Sequence, residues 1–276
     1  MEKFLLCTDL DRTLIPNGAQ PASPQAMGRF KQLVSREEIT LAYVTGRHRE
    51  LIEQAIVEYD LPQPDFAIAD VGSTIYQLGA SGWRLWDEWD EQIAPDWCGR
   101  SHDELYRFLS VFPVLQLQEK EKQNRHKLSF YIPLETDAHA LKLEMDMRLV
   151  QAGIKANLIW SIDEEAKIGL LDVLPLSANK LHAIHFLMQR KGFRHENTVF
   201  AGDSGNDLDV LLSDIPSVLV ANADAEVKGR VAEANPQTLY VASGNYLGMN
   251  GHYSAGILEG AAHYWPEVNM WLRALN

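Results

Sequence analysis

Cysteine is nearly missing from this chain, with Cys7 and Cys98 alone among 276 residues. So low a number excludes a disulfide framework and any zinc site built from cysteines. Cys7 lies in the apolar run Phe4-Leu5-Leu6-Cys7 and reads as a small buried hydrophobe, and two thiols fit a reducing, cytoplasmic setting. Long hydrophobic runs are missing too. Asp9 interrupts the N-terminal run before the core of a signal peptide could form, and nowhere do about 18 apolar residues follow one another. Neither a leader nor a membrane span is therefore expected. Positive charge is scarce: 25 Lys and Arg against 38 Asp and Glu leave a net charge of −13. That balance disfavours broad attraction to nucleic acid or anionic lipid and favours small-molecule chemistry. Repeats and low-complexity tracts are lacking as well. His182 and His185 stand three apart without the acid of a His-Glu-x-x-His zinc helix and read as structural.

What the chain does contain is ordinary globular material, 46% hydrophobic and 23% charged, enough for one large domain or two modest ones. Phe4 to Thr8, Ile39 to Val44 and Phe66 to Ala69 are short apolar runs stopped by polar residues, the pattern of strands buried on both faces. Between them Met27, Phe30, Leu33 and Val34, then Leu51, Ile52, Ala55 and Ile56, recur at helical spacing. The opening thus reads βαβαβ, which implies a doubly wound parallel sheet.

From Trp83 the texture changes. Trp83, Trp86, Trp89 and Trp97 cluster among acids, Ser101 with Glu104 forms a capping-box helix start, and His126 to Ile132, Ala156 to Ile162 and Ile168 to Leu174 read as strands around a helix from Ala138 to Val150. Past Pro175 the alternation returns, with a helix from Ala178 to Arg190, strands at Thr198 to Gly202, Ser217 to Val220 and Leu239 to Val241, and a last helix from Ser254. The expected organisation is a discontinuous α/β core, residues 1–82 and 175–276, carrying a small α+β insert, residues 83–174.

Candidate chemistry gathers where strands end. Asp9 and Asp11 stand two apart and address the crevice beyond the first strand's carboxyl end, where doubly wound sheets bind ligands. Two carboxylates about 4 Å apart at an effective dielectric near 20 repel by about 4 kcal/mol, which calls for a cation or a shared proton. The second strand ends in Thr45-Gly46-Arg47: a hydroxyl, a glycine that admits close backbone approach, and a guanidinium suited to phosphate oxygens. Lys180 opens a helix, and Gly202-Asp203-Ser204-Gly205-Asn206-Asp207 packs two acids and two glycines into one turn after another strand. Acids from two strand ends, Asp9 and Asp203, meet the needs of a hard cation such as Mg2+. Capping and turn roles would account for each motif taken singly.

Taken in order, Asp9-x-Asp11-x-Thr13, Thr45-Gly46-Arg47, Lys180 and Gly202 through Asp207 resemble the motif set of haloacid dehalogenase-like (HAD) phosphatases with a C2-type cap inserted after the third strand. Val71-Gly72-Ser73-Thr74-Ile75-Tyr76, the Gly202–Asp207 turn and Tyr253-Ser254-Ala255-Gly256-Ile257-Leu258-Glu259 are similar to the sucrose-phosphatase branch. The likeness spans nearly the whole chain, dense in the core and thin in the insert. It implies a HAD-like Rossmannoid core with an inserted cap, and a phosphatase acting on a sugar phosphate, sucrose 6-phosphate foremost.

Carried over by position, the resemblance makes Asp9 the nucleophile and Asp11 the general acid and base. Thr45 and Lys180 would bind phosphoryl oxygens, with Gly46 and Arg47 beside the substrate and Lys127 as a sugar contact on a cap strand. Mg2+ would be held by the Asp9 carboxylate, the Asp11 carbonyl and Asp203, with Asn206 and Asp207 orienting that shell. Electrostatics point the same way: a phosphate dianion about 4 Å from one carboxylate meets about 8 kcal/mol of repulsion at a dielectric near 20, so local positive charge is needed. Trp83, Trp86, Trp89 and Trp160 could stack on sugar faces or build the insert's own core.

Arg12 departs from the Gly or Asn of many relatives, and the Gly- and Asn-rich loop from Asn245 to His252 could be a longer approach to the site. Both leave the substrate open. Alternatives within the enzyme class are mannosylfructose phosphate, another disaccharide phosphate, or a phosphohexomutase; outside it stand a receiver-like domain and a non-catalytic partner of a sugar-phosphate synthase.

Overall fold

The computed structural model describes residues 3–163 and 166–275. Strands run in the order β1 (Phe4–Thr8), β2 (Ile39–Val44), β3 (Phe66–Ala69), β4 (Thr74–Gly79), β5 (Gly82–Leu85), β6 (Gln116–Leu117), β7 (Leu128–Ile132), β8 (Ala156–Asp163), β9 (Ile168–Pro175), β10 (Thr198–Gly202), β11 (Ser217–Leu219) and β12 (Leu239–Val241). They divide between two compact units, residues 3–84 with 180–275, and residues 85–179.

The first unit is built on an eight-stranded sheet of order β12-β11-β10-β1-β2-β3-β4-β5. From β12 to β3 every neighbouring pair is parallel. The β3–β4 pair is antiparallel, so the sheet is mixed and its β4–β5 end is a hairpin over the segment expected only to carry a motif. All five residues of β1 are buried because both faces are covered. Phe4 and Leu6 join one apolar cluster with Phe30, Leu33, Ile257, Leu258 and Leu272 from helices Ala26–Val34, Ser254–Tyr264 and Pro266–Ala274. Leu5 and Cys7, one residue out of phase, are buried on the opposite face.

Strand order fixes where a ligand can bind. Successive strands β1, β2, β3 move one way across the sheet and β10, β11, β12 the other, so the order reverses between β1 and β10. The crevice at the carboxyl ends of such a pair is the natural binding position of an open α/β sheet. Asp9 and Asp203 leave these two strands side by side, the Asp9 N–H donating to the Ala201 carbonyl at 2.9 Å.

The second unit has a four-stranded antiparallel sheet, β6-β7-β9-β8. Its core joins Trp97, Leu105, Phe130, Met145, Leu149 and Leu171. Helix His102–Leu109 begins at the capping box formed by Ser101 and Glu104, and helix Ala138–Gln151 at Asp137, whose side chain accepts from the Ala140 N–H. No helix among the described residues is long and apolar enough to cross a membrane.

Candidate active site

Two strand ends and one helix start converge on a buried charge cluster. Asp9, Asp203 and Asp207 place carboxylate oxygens within 4.8 Å of one another, and all three residues are buried. Lys180, the first residue of helix Lys180–Lys191, sends its Nζ to Asp9 Oδ1 at 2.9 Å and Asp207 Oδ1 at 2.7 Å, with Asn206 Oδ1 at 3.4 Å. Asp207 is the organiser of its turn. Its Oδ2 accepts from the Asp203 and Ser204 N–H groups, both at 3.1 Å, and from the Ser204 hydroxyl at 3.1 Å. Gly202 is required there because a Cβ would lie 2.7 Å from the Asp207 carboxyl carbon.

Asp203 is held differently. Its Oδ1 accepts from the Thr13 hydroxyl at 3.0 Å, while Oδ2 is buried without a hydrogen-bond donor. A buried carboxylate oxygen left bare costs free energy unless a cation uses it. The donor set, three carboxylates with Asp203 Oδ2 unclaimed, suits a hard divalent ion.

Burial, reinforced by Asp207 and Asp203, pushes the Asp9 carboxyl up to about 8 in spite of Lys180. Burial and Asp207 likewise lift Asp203 to about 6. Burial also disfavours the Lys180 ammonium, but Asp207 and Asp9 outweigh it and hold the amine protonated. One ammonium does not neutralise three crowded carboxylates, so the cluster takes up protons or a metal.

Asp11 stands to one side of this cluster. Arg47 grips it bidentately, Nε to Oδ2 at 2.8 Å and Nη2 to Oδ1 at 2.7 Å, and the Asn17 amide adds a bond at 2.8 Å. Burial acts upward on Asp11, but the Arg47 and Asn17 bonds outweigh it and hold the carboxyl below its usual value. Arg47 is thus spent on Asp11. Thr45 is buried, its Oγ1 accepting from the Arg47 N–H at 3.2 Å. Gly46 has no neighbour that forbids a side chain, since a Cβ would meet only Val71 at 3.8 Å. Thr45 and Gly46, together with Asp9, Asp11, Arg47 and Asp203, line a cavity of ≈ 290 Å³.

Lys127 belongs to the second unit, where its buried side chain ends 3.9 Å from Asp172 Oδ2. Trp89 and Trp97 are fully buried. Trp160 packs over Gly169, whose Cβ would fall 2.2 Å from its ring. Trp83 lies on β5 edge-on to Tyr76 at 5.5 Å and packs with the first unit's core.

The sequence profile of the sucrose-6F-phosphate phosphohydrolase family matches residues 2–265. The chain belongs to that family. Its fold is the HAD core with a cap: a solved sucrose-phosphatase from Synechocystis, in complex with sucrose and phosphate, superposes with a TM-score of 0.74 at 26% identity, covering 96% of this chain and 98% of that one. A Nitrosococcus oceani protein described as a HAD-like hydrolase is 53% identical over 98% of this chain and 74% of its own length. Sucrose-phosphatase 1 of Nicotiana tabacum is 28% identical over 95% of this chain, which spans 59% of the tobacco protein. With the buried carboxylate cluster, family membership makes the chain a phosphoric monoester hydrolase that acts on sugar phosphates.

Three residues of this phosphatase site were given no role by the sequence alone. Asn17 clasps Asp11; Asn222 donates to the Arg12 carbonyl at 2.6 Å and accepts from the Tyr253 N–H at 2.9 Å; Thr13 bonds Asp203. Only Thr13 falls inside a quoted motif. The Asn245–His252 loop packs on the segment before the first helix, Asn250 Nδ2 and His252 Nδ1 both meeting the Pro21 carbonyl.

Proposed function

We propose that this phosphatase hydrolyses sucrose 6-phosphate to sucrose and phosphate, with Mg2+ as cofactor, in a cytoplasmic setting and in association with a sugar-phosphate synthase. One observation carries the reading: a buried Asp9–Asp203–Asp207 cluster neutralised in part by Lys180 at the reversal point of the sheet. A bound divalent ion, held by Asp9, Asp203 and the Asp11 carbonyl, would keep Asp9 ionised and offset the phosphate's charge.

Asp9 Oδ attacks phosphorus as the sugar oxygen departs, giving an aspartyl-phosphate, and Asp11 supplies the proton to the leaving oxygen. Water then attacks the phosphorus, Asp11 takes its proton, and phosphate leaves with Asp9 restored. Lys180 and Thr45 hold the phosphoryl oxygens. The Arg47 clasp keeps Asp11 ionised, the form needed in the second half, so proton donation in the first half requires the clasp to open. Lys127 and the cap supply the sugar contacts.

A panel of sugar phosphates, read by released phosphate with Mg2+ and again after chelation, tests this. Sucrose 6-phosphate should lead the panel and chelation should stop turnover. Preference for mannosylfructose phosphate or another disaccharide phosphate would move the assignment, and isomerisation without free phosphate would replace it with a mutase. Asp9→Asn should cut turnover about 10⁴-fold or more with the circular dichroism spectrum unchanged; near-normal rates in that variant would remove Asp9 as nucleophile.

A further inference from the structure

Arg12 sits in the left-handed backbone region at φ 58, a conformation that favours glycine or asparagine. Its peptide is pinned there: the N–H donates to Asn17 Oδ1 at 2.8 Å and the carbonyl accepts from Asn222 Nδ2 at 2.6 Å. Packing does not reward this strain, because the side chain is 37% exposed. Its contacts are ionic. Nη2 donates to Asp224 Oδ1 at 2.9 Å, and Nε lies 3.4 Å from Asp203 Oδ2, the bare oxygen of the carboxylate cluster, without hydrogen-bond geometry. Lys180 is bonded to Asp9 and Asp207 and acts on Asp203 only from further off, whereas the guanidinium lies in ion-pair contact with Asp203 Oδ2.

A divalent ion at Asp203 and this guanidinium compete for the same oxygen, and their like charges repel. Asp224, 62% exposed, offers the guanidinium a second anchor outside the cluster. We propose that Arg12 is a built-in counter-ion of the metal site, which neutralises Asp203 in the metal-free protein and gives up that contact, held by Asp224 alone, when a divalent ion binds. The protein therefore holds Mg2+ more weakly, and exchanges it more readily, than its carboxylates alone would dictate. This rests on the metal site assigned above.

Calorimetric titration of Mg2+ at fixed ionic strength tests it on the full chain. Arg12→Gln should bind Mg2+ about fivefold to tenfold more tightly than the native protein and lower the melting temperature of the metal-free form, whereas Arg12→Lys, which keeps the charge, should stay close to native. Asp224→Ala removes the outer anchor; it should weaken Mg2+ binding several-fold in the native background and leave it unchanged in Arg12→Gln. Unaltered or weaker binding by Arg12→Gln, or an Asp224→Ala effect that persists without Arg12, overturns the counter-ion role while the metal site stands. If the native protein itself takes up no stoichiometric Mg2+, the site assignment falls first and the inference with it.

Discussion

Asp203 and Asp207 stand four residues apart in one turn and carry opposite burdens. Asp207, wholly buried, satisfies Lys180, two backbone N–H groups and the Ser204 hydroxyl. Asp207→Ala leaves a buried ammonium short of a partner and unbinds the turn, so urea unfolding should show a loss of about 3 kcal/mol. Asp203 is a charge the fold disfavours, as its lifted pKa shows. Asp203→Asn should therefore leave metal-free stability at pH 8 unchanged or raised, while calorimetry shows Mg2+ binding lost. A marked loss of stability in Asp203→Asn would mean that Arg12 and Thr13 satisfy that carboxylate fully. The two acids were legible in the sequence because their turn follows a buried parallel strand, at the end of the sheet where doubly wound folds bind ligands. Their division of labour was not, since it depends on Thr13, Arg12 and Lys180 arriving from distant positions, and such long-range side-chain bonds leave no local pattern.

At the scale of elements, hydrophobic periodicity is a strong guide wherever burial is two-sided. β1, β2, β3 and β10 begin and end where the apolar runs do, because polar residues at their ends meet solvent or the site. The β4–β5 hairpin was not read from the sequence: its exposed outer strand lacks an apolar run, although Gly79-Ala80-Ser81-Gly82 is a turn signal. Helix Ser254–Tyr264 has two glycines that helix propensity disfavours. Contact explains them. A Cβ on Gly260 would fall 2.1 Å from Val218 Cγ2, and one on Gly256 2.3 Å from the Gly251 carbonyl oxygen, so the helix backbone rests on β11 and the loop before it. Gly260→Ala should cost about 2 kcal/mol by overpacking, despite alanine's better propensity. Equal or greater resistance to urea in that variant would show that the helix and β11 can separate without loss.

The whole molecule should register the charge cluster in how its stability follows pH. Stability rises with pH where the unfolded chain binds more protons than the native one, and falls in the opposite case. Burial lifts Asp9 from 3.8 to about 8 and Asp203 from 3.8 to about 6, so between these limits the native state keeps protons that the unfolded chain has released. The metal-free protein should accordingly lose stability as pH climbs from about 4 towards 8. Burial lowers His185 below 6.5, which acts with the opposite sign around that pH, but this contribution is common to the native protein and Asp9→Asn. The difference between their melting temperatures at pH 5, 6.5 and 8 isolates Asp9: it should widen with pH, Asp9→Asn melting progressively higher than the native protein. Saturating Mg2+ should reverse the trend in the native protein, because an ion that binds ionised carboxylates stabilises most where protons no longer compete for them. A metal-free difference that stays constant across this range would mean that Lys180 already neutralises Asp9, and the cluster would then need no divalent ion to keep its nucleophile charged.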